Sequence, residues 1–245
     1  MKYCNPSIAS GLRELRDAGV EKILLLPMYG QYASATAGST FDAVADELKT
    51  WRWVPDLRTV MQFHDEDFYI NSLAENVKKH WEKNGRAEVF LMSFHGIPKR
   101  YFLGGDPYFC HCQKTARLLA EKLELSDYVV SFQSLFGKEE WIKPYTDKTL
   151  KSLAKSGVKS VDVICPGFLA DCLETIEEIE EENKEYFIEA GGEKFSYIPA
   201  LNDDKYFILG LSHFVKEQIK GWGFKQRKSQ EYCEHARFKQ NERLE

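Results

Sequence analysis

The stretch that decides the fold is SVDVICPGFLADCLETIEEIEEE, residues 160–182. It begins with an apolar run that predicts a buried strand at 160–165, and a helical pattern follows at 169–186. Four carboxylates of this helix are spaced by three and four residues, which predicts one shared stripe: Asp171, Glu174, Glu178 and Glu182. Like charges so placed repel, so the row is either a solvated surface or a path for cations and protons. A helix that leaves the carboxyl end of a parallel strand begins at the ligand-binding crevice, which favours the path.

The same alternation of strand and helix extends along the chain. Apolar runs bounded by Gly, Pro or Asp predict strands at 22–28, 57–63, 87–94, 128–132 and 160–165. Helical patterns lie at 7–18, 41–51, 68–83, 113–123, 145–155, 169–186 and 206–220. Gly19, Gly85 and Gly157 follow three of these helices as stop signals. The pattern predicts an α/β fold, with doubly wound parallel sheets covered by helices on both faces.

A change of composition near residues 83–86 divides the chain into two units. We predict an incomplete Rossmann-like unit at 1–83, a second Rossmann-like unit at 84–222 and a polar tail at 223–245. The first unit is expected to be incomplete because a helix begins at Ser7, after Asn5 and Pro6, with no strand before it. We therefore expect the chain to be a fragment.

Composition excludes several classes of protein. The net charge of −5 and pI near 5.8 argue against nucleic-acid binding, which requires clustered Lys and Arg. Because the sequence contains no apolar run of about 20 residues and opens with no signal-type segment, we expect a cytoplasmic protein. The six cysteines are unevenly spaced, so we expect reduced thiols rather than a disulfide framework.

A histidine ends the predicted strand at 87–94, in the segment FLMSFHGIP at 90–98. His95 would lie where open α/β sheets bind ligands, and its ordinary pKa of about 6.5 suits a proton acceptor near neutral pH. Taken alone, it could equally be a histidine that only bonds a loop carbonyl. The acidic row changes this balance because both features would leave the top of a strand and could meet in one crevice.

Several segments together carry a resemblance to one family: KYCNPS at 2–7, LPMYGQYASATAG at 26–38, SFHGIP at 93–98, GDPY at 105–108, QSLFG at 133–137 with Trp141 and Pro144, and residues 165–178. In this order they resemble the ferrochelatases, which insert ferrous iron into protoporphyrin IX in the last step of haem synthesis. The similarity is strongest to proteobacterial members, runs from residue 3 to residue 222 and implies the chelatase type of Rossmann-like fold.

The resemblance implies a role for each candidate residue. Metallating a porphyrin requires a base for two pyrrole protons, carboxylates for the metal and a flat apolar slot. His95 is implied to be the catalytic base, a metal ligand or both, and Glu174 the catalytic, metal-binding carboxylate that faces it. Asp171, Glu178 and Glu182 would continue a path for protons or metal on a helix with a π-type distortion. The implied porphyrin-binding residues are Lys2, where the family often has Arg, Tyr29, Tyr108, Trp141 and Phe168; Trp141 alone would more readily suggest core packing.

No cofactor is expected beyond the substrate Fe²⁺. Cys110-His111-Cys112 does not have the usual zinc spacing. Some ferrochelatases hold a [2Fe-2S] cluster with a cysteine-rich carboxyl-terminal segment, whereas this tail offers only Cys233. We do not expect a cluster, and an arrangement of Cys4, Cys110, Cys112 and Cys233 is the alternative.

The expected partners are protoporphyrin IX and Fe²⁺. The resemblance implies a strand and a glycine-rich loop that form one lip of the cleft, and neither stands before Met1 here. We therefore expect little or no chelatase activity from this chain alone, since its slot would be open to water on one side. The alternatives are a non-catalytic porphyrin-binding remnant and a chelatase for another metal or tetrapyrrole. The basic and aromatic segment 99–102 predicts peripheral contact with the inner face of the membrane.

Overall fold

The computed structural model of the protein describes residues 5–223. The strands in this range are β1 (Lys22–Leu25), β2 (Asp56–Thr59), β3 (Val89–His95), β4 (Val129–Gln133), β5 (Ser160–Ile164) and β6 (Lys194–Ile198). The α-helices are α1 (Ile8–Asp17), α2 (Ser39–Leu48), α3 (Asp67–Asn84), α4 (Lys99–Leu103), α5 (Tyr108–Lys122), α6 (Thr146–Lys155), α7 (Lys184–Glu189) and α8 (Lys205–Gln218). Two π-helices, π1 (Ser34–Gly38) and π2 (Glu174–Asn183), complete the set.

The strands form two parallel sheets. β1 pairs with β2, and the second sheet has the order β4-β3-β5-β6. The chain continues from β3 to β4 on one side and then returns to β5 on the other, so the strand order reverses between β3 and β5. A crevice opens at the carboxyl ends of the strands at such a switch point, and this is where open α/β sheets bind ligands.

Successive side chains of β3 pack on opposite faces of the second sheet, as the two-residue period of a strand requires. Phe90, Met92 and Phe94 belong to the core cluster that includes residues of α3, α5 and α8. Leu91 belongs to the cluster on the other face, formed with residues of α6, π2 and α7. Helices therefore cover both faces, and β3 is held as a rigid central strand that fixes the position of His95.

The predicted α/β class is confirmed, and every predicted strand and helix is present with shifted ends. The three predicted stop glycines all adopt positive φ, as helix-terminating glycines do: Gly19 (72°), Gly85 (75°) and Gly157 (101°). β1 ends at Leu25 instead of extending to residue 28; Pro27, which has no N–H to donate, follows soon after. The sequence prediction missed β6, α4 and π1.

The predicted division at residues 83 and 84 stays a prediction. One hydrophobic cluster contains residues from both sides of it, including Val60, Phe63 and Phe94. Residues near the end of the described range reach back to the first sheet, since the Nζ of Lys22 donates to the carbonyl of Trp222 over 2.6 Å. The predicted polar tail lies outside the described residues except for Gly223. Between residues 5 and 223, no helix has the length and apolar character needed to cross a membrane.

Candidate active site

A cavity of about 470 Å³ opens at the switch point of the second sheet. One wall comes from the loop after β1 and from π1, and the other from residues that follow β3, β4 and β5. Its lining includes a histidine, two glutamates, an arginine and several aromatic and small residues: Tyr29, Gln31, Ala33, Ala35, Thr36, His95, Gly96, Ile97, Pro98, Arg100, Tyr101, Tyr108, Glu139, Trp141, Gly167, Phe168 and Glu174. Its volume lies in the range of small-molecule sites.

His95 is the last residue of β3 and lines this cavity. Its Nδ1 lies 2.7 Å from the carbonyl oxygen of Gly96. A carbonyl can only accept, so Nδ1 is the donor, and the neutral ring carries its free lone pair on Nε2. The ring centroid lies 6.3 Å from that of Trp141 and 6.3 Å from that of Phe168. The imidazole is therefore an oriented base that lies between two aromatic side chains.

Glu174 begins π2, and its exposed side chain lines the same cavity as His95. Hydrogen bonds from the Cys172 thiol and from the backbone at Glu174 lower the pKa of Glu174 and outweigh the opposing effect of burial, and the electrostatic effect of His95 lowers it a little further. The carboxylate is thus ionised at neutral pH. The two groups expected to act together do share one crevice.

The other predicted acids are placed differently. Asp171 lies before π2 begins, so the prediction that it shares one helical stripe with Glu174, Glu178 and Glu182 is wrong. Its Oδ1 accepts bonds from Tyr197 Oη (2.7 Å), Thr175 Oγ1 (3.1 Å) and the Ala200 N–H (3.2 Å), and its Oδ2 accepts from Asn202 Nδ2 (2.8 Å). Partial burial raises the pKa of Asp171, but these bonds outweigh it and leave the pKa below its usual range. Asp171 is a fixed anion that joins the turn to β6 and the loop after it.

Glu178 and Glu182 continue along π2 at four-residue intervals. Glu178 is half-buried, and its two oxygens accept bonds from the N–H and the hydroxyl of Ser134, each over 2.6 Å. Glu182 is exposed at the far end of π2. The i→i+5 bonding of a π-helix widens each turn, so a four-residue spacing keeps Glu174, Glu178 and Glu182 on adjoining parts of the helix surface.

The predicted aromatic residues all line the cavity. Tyr29 is 44% exposed and Tyr108 only 7% exposed, while Trp141 and Phe168 are half-buried. Burial raises the pKa of Tyr108 well above its usual range, so its hydroxyl stays protonated. Lys2, the remaining predicted porphyrin contact, lies outside the described residues.

Sequence reasoning did not single out the polar groups that hold the wall formed by π1. Asp106 is buried and accepts the N–H of Ser34 (2.7 Å) and that of Tyr108 (3.0 Å), which joins π1 to the start of α5. Gln31 is 2% exposed and donates to Thr115 Oγ1 over 2.9 Å. Both residues fall in segments that carried the family resemblance, and their burial was the missing signal.

Cys110, His111 and Cys112 lie together on α5 without forming a metal clasp. Cys112 is fully buried, Cys110 is exposed, and His111 Nδ1 accepts the N–H of Tyr32 over 3.2 Å. Among residues 5–223, no group of three or more His, Cys, Asp or Glu side chains is arranged to hold a metal ion. Because Cys4 and Cys233 lie outside the described residues, the expectation about an iron–sulfur cluster stays a prediction.

Comparisons with known proteins show which proteins this chain is similar to. A model of the ferrochelatase family matches residues 1–219. The chain is 57% identical over 224 residues to a ferrochelatase of Hydrogenovibrio crunogenus, covering 91% of this chain and 59% of that protein. It is 54% identical over 224 residues to a ferrochelatase of Nitrosococcus oceani, covering 91% of this chain and 61% of that protein. The chain therefore spans about three fifths of the length of these relatives.

A solved structure shows a similar fold. SirB from Bacillus subtilis, determined with Fe³⁺, superposes with a TM-score of 0.63 at 13% sequence identity, covering 89% of this chain and 79% of that chain. At this identity the likeness concerns the fold alone.

Proposed function

This chain belongs to the ferrochelatase family, and we propose that its cavity takes part in inserting Fe²⁺ into protoporphyrin IX, with release of two protons. The observation that carries the proposal is that His95 and Glu174, a base and an ionised carboxylate, line one largely apolar cavity. The reaction balances with the two pyrrole N–H groups as the source of both protons and Fe²⁺ as their replacement.

Each residue has a chemical task in this proposal. The free lone pair of His95 Nε2 accepts a pyrrole proton, since Nδ1 is committed to the Gly96 carbonyl. The carboxylate of Glu174, a suitable ligand for a divalent cation, holds Fe²⁺ as it loses water. Trp141, Phe168 and Tyr29 supply the apolar surface against which a flat macrocycle packs.

The remaining acids divide into two groups. Asp171 accepts four hydrogen bonds and Glu178 accepts two from Ser134, so both serve best to hold the site in place. Glu182 is exposed at the far end of π2 and is the group we assign to the outer end of a proton or metal path.

Contact with a membrane is a further part of the proposal. Phe102 and Leu103 of α4 are 38% and 72% exposed. They follow Arg100 and Tyr101, which line the cavity that an apolar substrate would enter. Lys99 and Arg100 are paired with Glu140 and Glu139, so the apolar residues are expected to dominate the contact. Co-sedimentation with phospholipid vesicles should fall in a Phe102→Ser, Leu103→Ser variant. Equal sedimentation of the variant and the wild type would contradict membrane contact through these two residues.

A single-turnover assay tests the central proposal, because it detects insertion even if this chain alone has the little or no steady-state activity that we expect. Protoporphyrin IX is bound to the 245-residue protein without oxygen, binding is followed by fluorescence quenching, and Fe²⁺ is then added while the porphyrin absorption bands are recorded. We expect saturable binding and insertion that is lost in His95→Ala. Binding without insertion would point to a non-catalytic porphyrin-binding protein. Faster insertion of Co²⁺ than of Fe²⁺ would point to a different metal substrate.

A further inference from the structure

Gln133 lies between the two principal groups of the proposed site. It is the last residue of β4, its side chain is 3% exposed, and it is the register partner of His95 on β3. The proposed chemistry uses no atom of it, and it does not line the cavity. A buried amide has to make several hydrogen bonds to be tolerated, so the partners of this one identify its role.

The backbone of Gln133 connects to His95. Its carbonyl oxygen accepts the N–H of Gly96 over 2.8 Å, and the carbonyl of Gly96 in turn accepts Nδ1 of His95 over 2.7 Å. Gly96 has no room for a side chain here, since a Cβ would lie 3.0 Å from the Gln133 oxygen and 3.0 Å from the Trp141 ring. The peptide that orients the imidazole is thus held by Gln133.

The side chain of Gln133 connects to Glu174. Its Nε2 donates to the carbonyl oxygen of Glu174 over 2.9 Å. Its Oε1 accepts from Ser93 Oγ over 2.7 Å and from Cys165 Sγ over 3.3 Å, which fixes the amide between β3 and the end of β5. The first residue of π2 is therefore bonded to the same amide that is anchored in the sheet.

The next residue makes a second connection to π2. Ser134 has φ of 64°, a left-handed conformation that non-glycine residues rarely adopt. Its N–H and hydroxyl both donate to the carboxylate of Glu178, one π-helical step beyond Glu174. The last residue of β4 and the residue after it thus bond to π2 at positions 174 and 178.

We propose that Gln133 is the positioning residue that sets the separation and orientation of His95 and Glu174, with the contact between Ser134 and Glu178 as its support. This inference rests on the proposed function, because it assigns Gln133 to the geometry of that reaction. Geometry of this kind matters strongly, since displacement of a reacting group by about 1 Å can cost about 100-fold in rate.

The test compares Gln133→Met, which keeps the approximate volume and loses the amide, with Ser131→Ala as a matched control. Ser131 is also fully buried on β4, and its hydroxyl bonds to Thr146, which in turn bonds to Ser93, but to neither Gln133 nor either catalytic group. In Gln133→Met we expect single-turnover Fe²⁺ insertion to fall about 30-fold, within the range that misplacement allows. The Kd for protoporphyrin IX should change less than about 3-fold, and hydrogen exchange at the amides of π2 should become about 10-fold faster as its tie to the sheet is lost. Ser131→Ala should leave all three measurements near wild type.

Several outcomes would overturn the inference. One is unchanged insertion, with or without faster exchange; another is an equal loss of insertion and porphyrin affinity; a third is a Ser131→Ala variant that matches Gln133→Met. If Gln133→Met does not fold, Gln133→Asn, which retracts the amide by one methylene, carries the same comparison. If the wild-type protein shows neither porphyrin binding nor iron insertion, the proposed function fails. In that case, unchanged hydrogen exchange at the π2 amides of the Gln133 variant would also overturn the positioning role. Faster exchange would still support the bond between Gln133 and the start of π2.

Discussion

The two π-helices contribute to one cavity but have opposite chemistry. π1 has the sequence SATAG, with small and uncharged side chains, and its Ala35 and Thr36 line the cavity. π2 has the sequence ETIEEIEEEN, with six glutamates, and presents Glu174 to the same space. The same rare helix type thus forms an uncharged wall on one side of the cavity and carries an anionic group on the other side.

This difference teaches how a π-helix is kept in place. π-helices are rare and concentrate at functional sites, where the surrounding structure has to stabilise them. π1 is held at its first residue by Asp106, which accepts the N–H of Ser34. π2 is held by Gln133 at its start and by Ser134 at Glu178. Each helix is therefore held by polar partners from outside the helix, and one partner of each, Asp106 for π1 and Gln133 for π2, is buried.

Removing the charge that distinguishes π2 should have the largest effect. In Glu174→Gln we expect single-turnover Fe²⁺ insertion to fall about 100-fold, in the range usual for a lost catalytic group. Protoporphyrin affinity should change little, because apolar contact dominates it. Rapid-mixing absorbance would measure insertion, and fluorescence quenching would measure affinity.

Glu177→Gln is the matched control for this experiment. Glu177 is exposed on the same helix and does not line the cavity. The contrast between π1 and π2 would lose its functional meaning if Glu177→Gln and Glu174→Gln slowed insertion equally.

The start of π2 depends on Asp171, and its removal should have the next largest effect. Asp171→Asn replaces a charged acceptor of four bonds by a neutral one, so we expect the free energy of unfolding at pH 7 to fall by about 2 kcal/mol. The pKa of Asp171 is below its ordinary value in the folded protein, so this stabilisation is present above pH of about 4 and is lost as pH falls further. Urea unfolding at pH 7 and at pH 3 checks both statements; an equal difference at the two values would contradict them.

The sequence could predict the parts of this site that depend on local pattern. Alternation of apolar runs and helical periods located β3 and β5, and with them the position of His95 and the start of the acidic segment. β6 was missed because Lys194–Ile198 offers only a short run between two helices. π1 was missed because five small residues carry no helical period.

The remaining features depend on contacts between distant residues. The partners of Asp171 include Tyr197 and Asn202, which lie 26 and 31 residues further along the chain. The amide of Gln133 is bonded to β3, to the residue after β5 and to π2, and no spacing within the sequence indicates that arrangement. A carboxylate row could therefore be recognised, but not which of its members were already engaged by other groups.

A carboxylate added to π1 should reduce the difference in charge between π1 and π2. In Ala35→Glu we expect the Kd for protoporphyrin IX to rise about 10-fold, because the charge must lose water against an apolar ring. Ala35→Gln has nearly the same size without the charge and is the matched control. Fluorescence quenching measures both variants, and equal losses would show that bulk rather than charge explains the effect.

The smallest expected effect concerns the pKa of Glu174. Titration of this group distinguishes π2 from π1, since π1 has no titrating side chain. The bond from the Cys172 thiol is the largest cause that lowers this pKa, so Cys172→Ala should raise the pKa towards its ordinary value. The carboxylate should then become protonated at a higher pH than in the wild type, with no change in its charge at pH 7. Infrared difference spectra between each protein and its Glu174→Gln counterpart would follow the carboxylate band as pH is lowered. Cys110→Ala, which removes an exposed thiol from α5, is the control and should leave the midpoint in place. A midpoint that does not move in Cys172→Ala would mean that the charge of His95 and the backbone at the start of π2 are sufficient to keep Glu174 ionised.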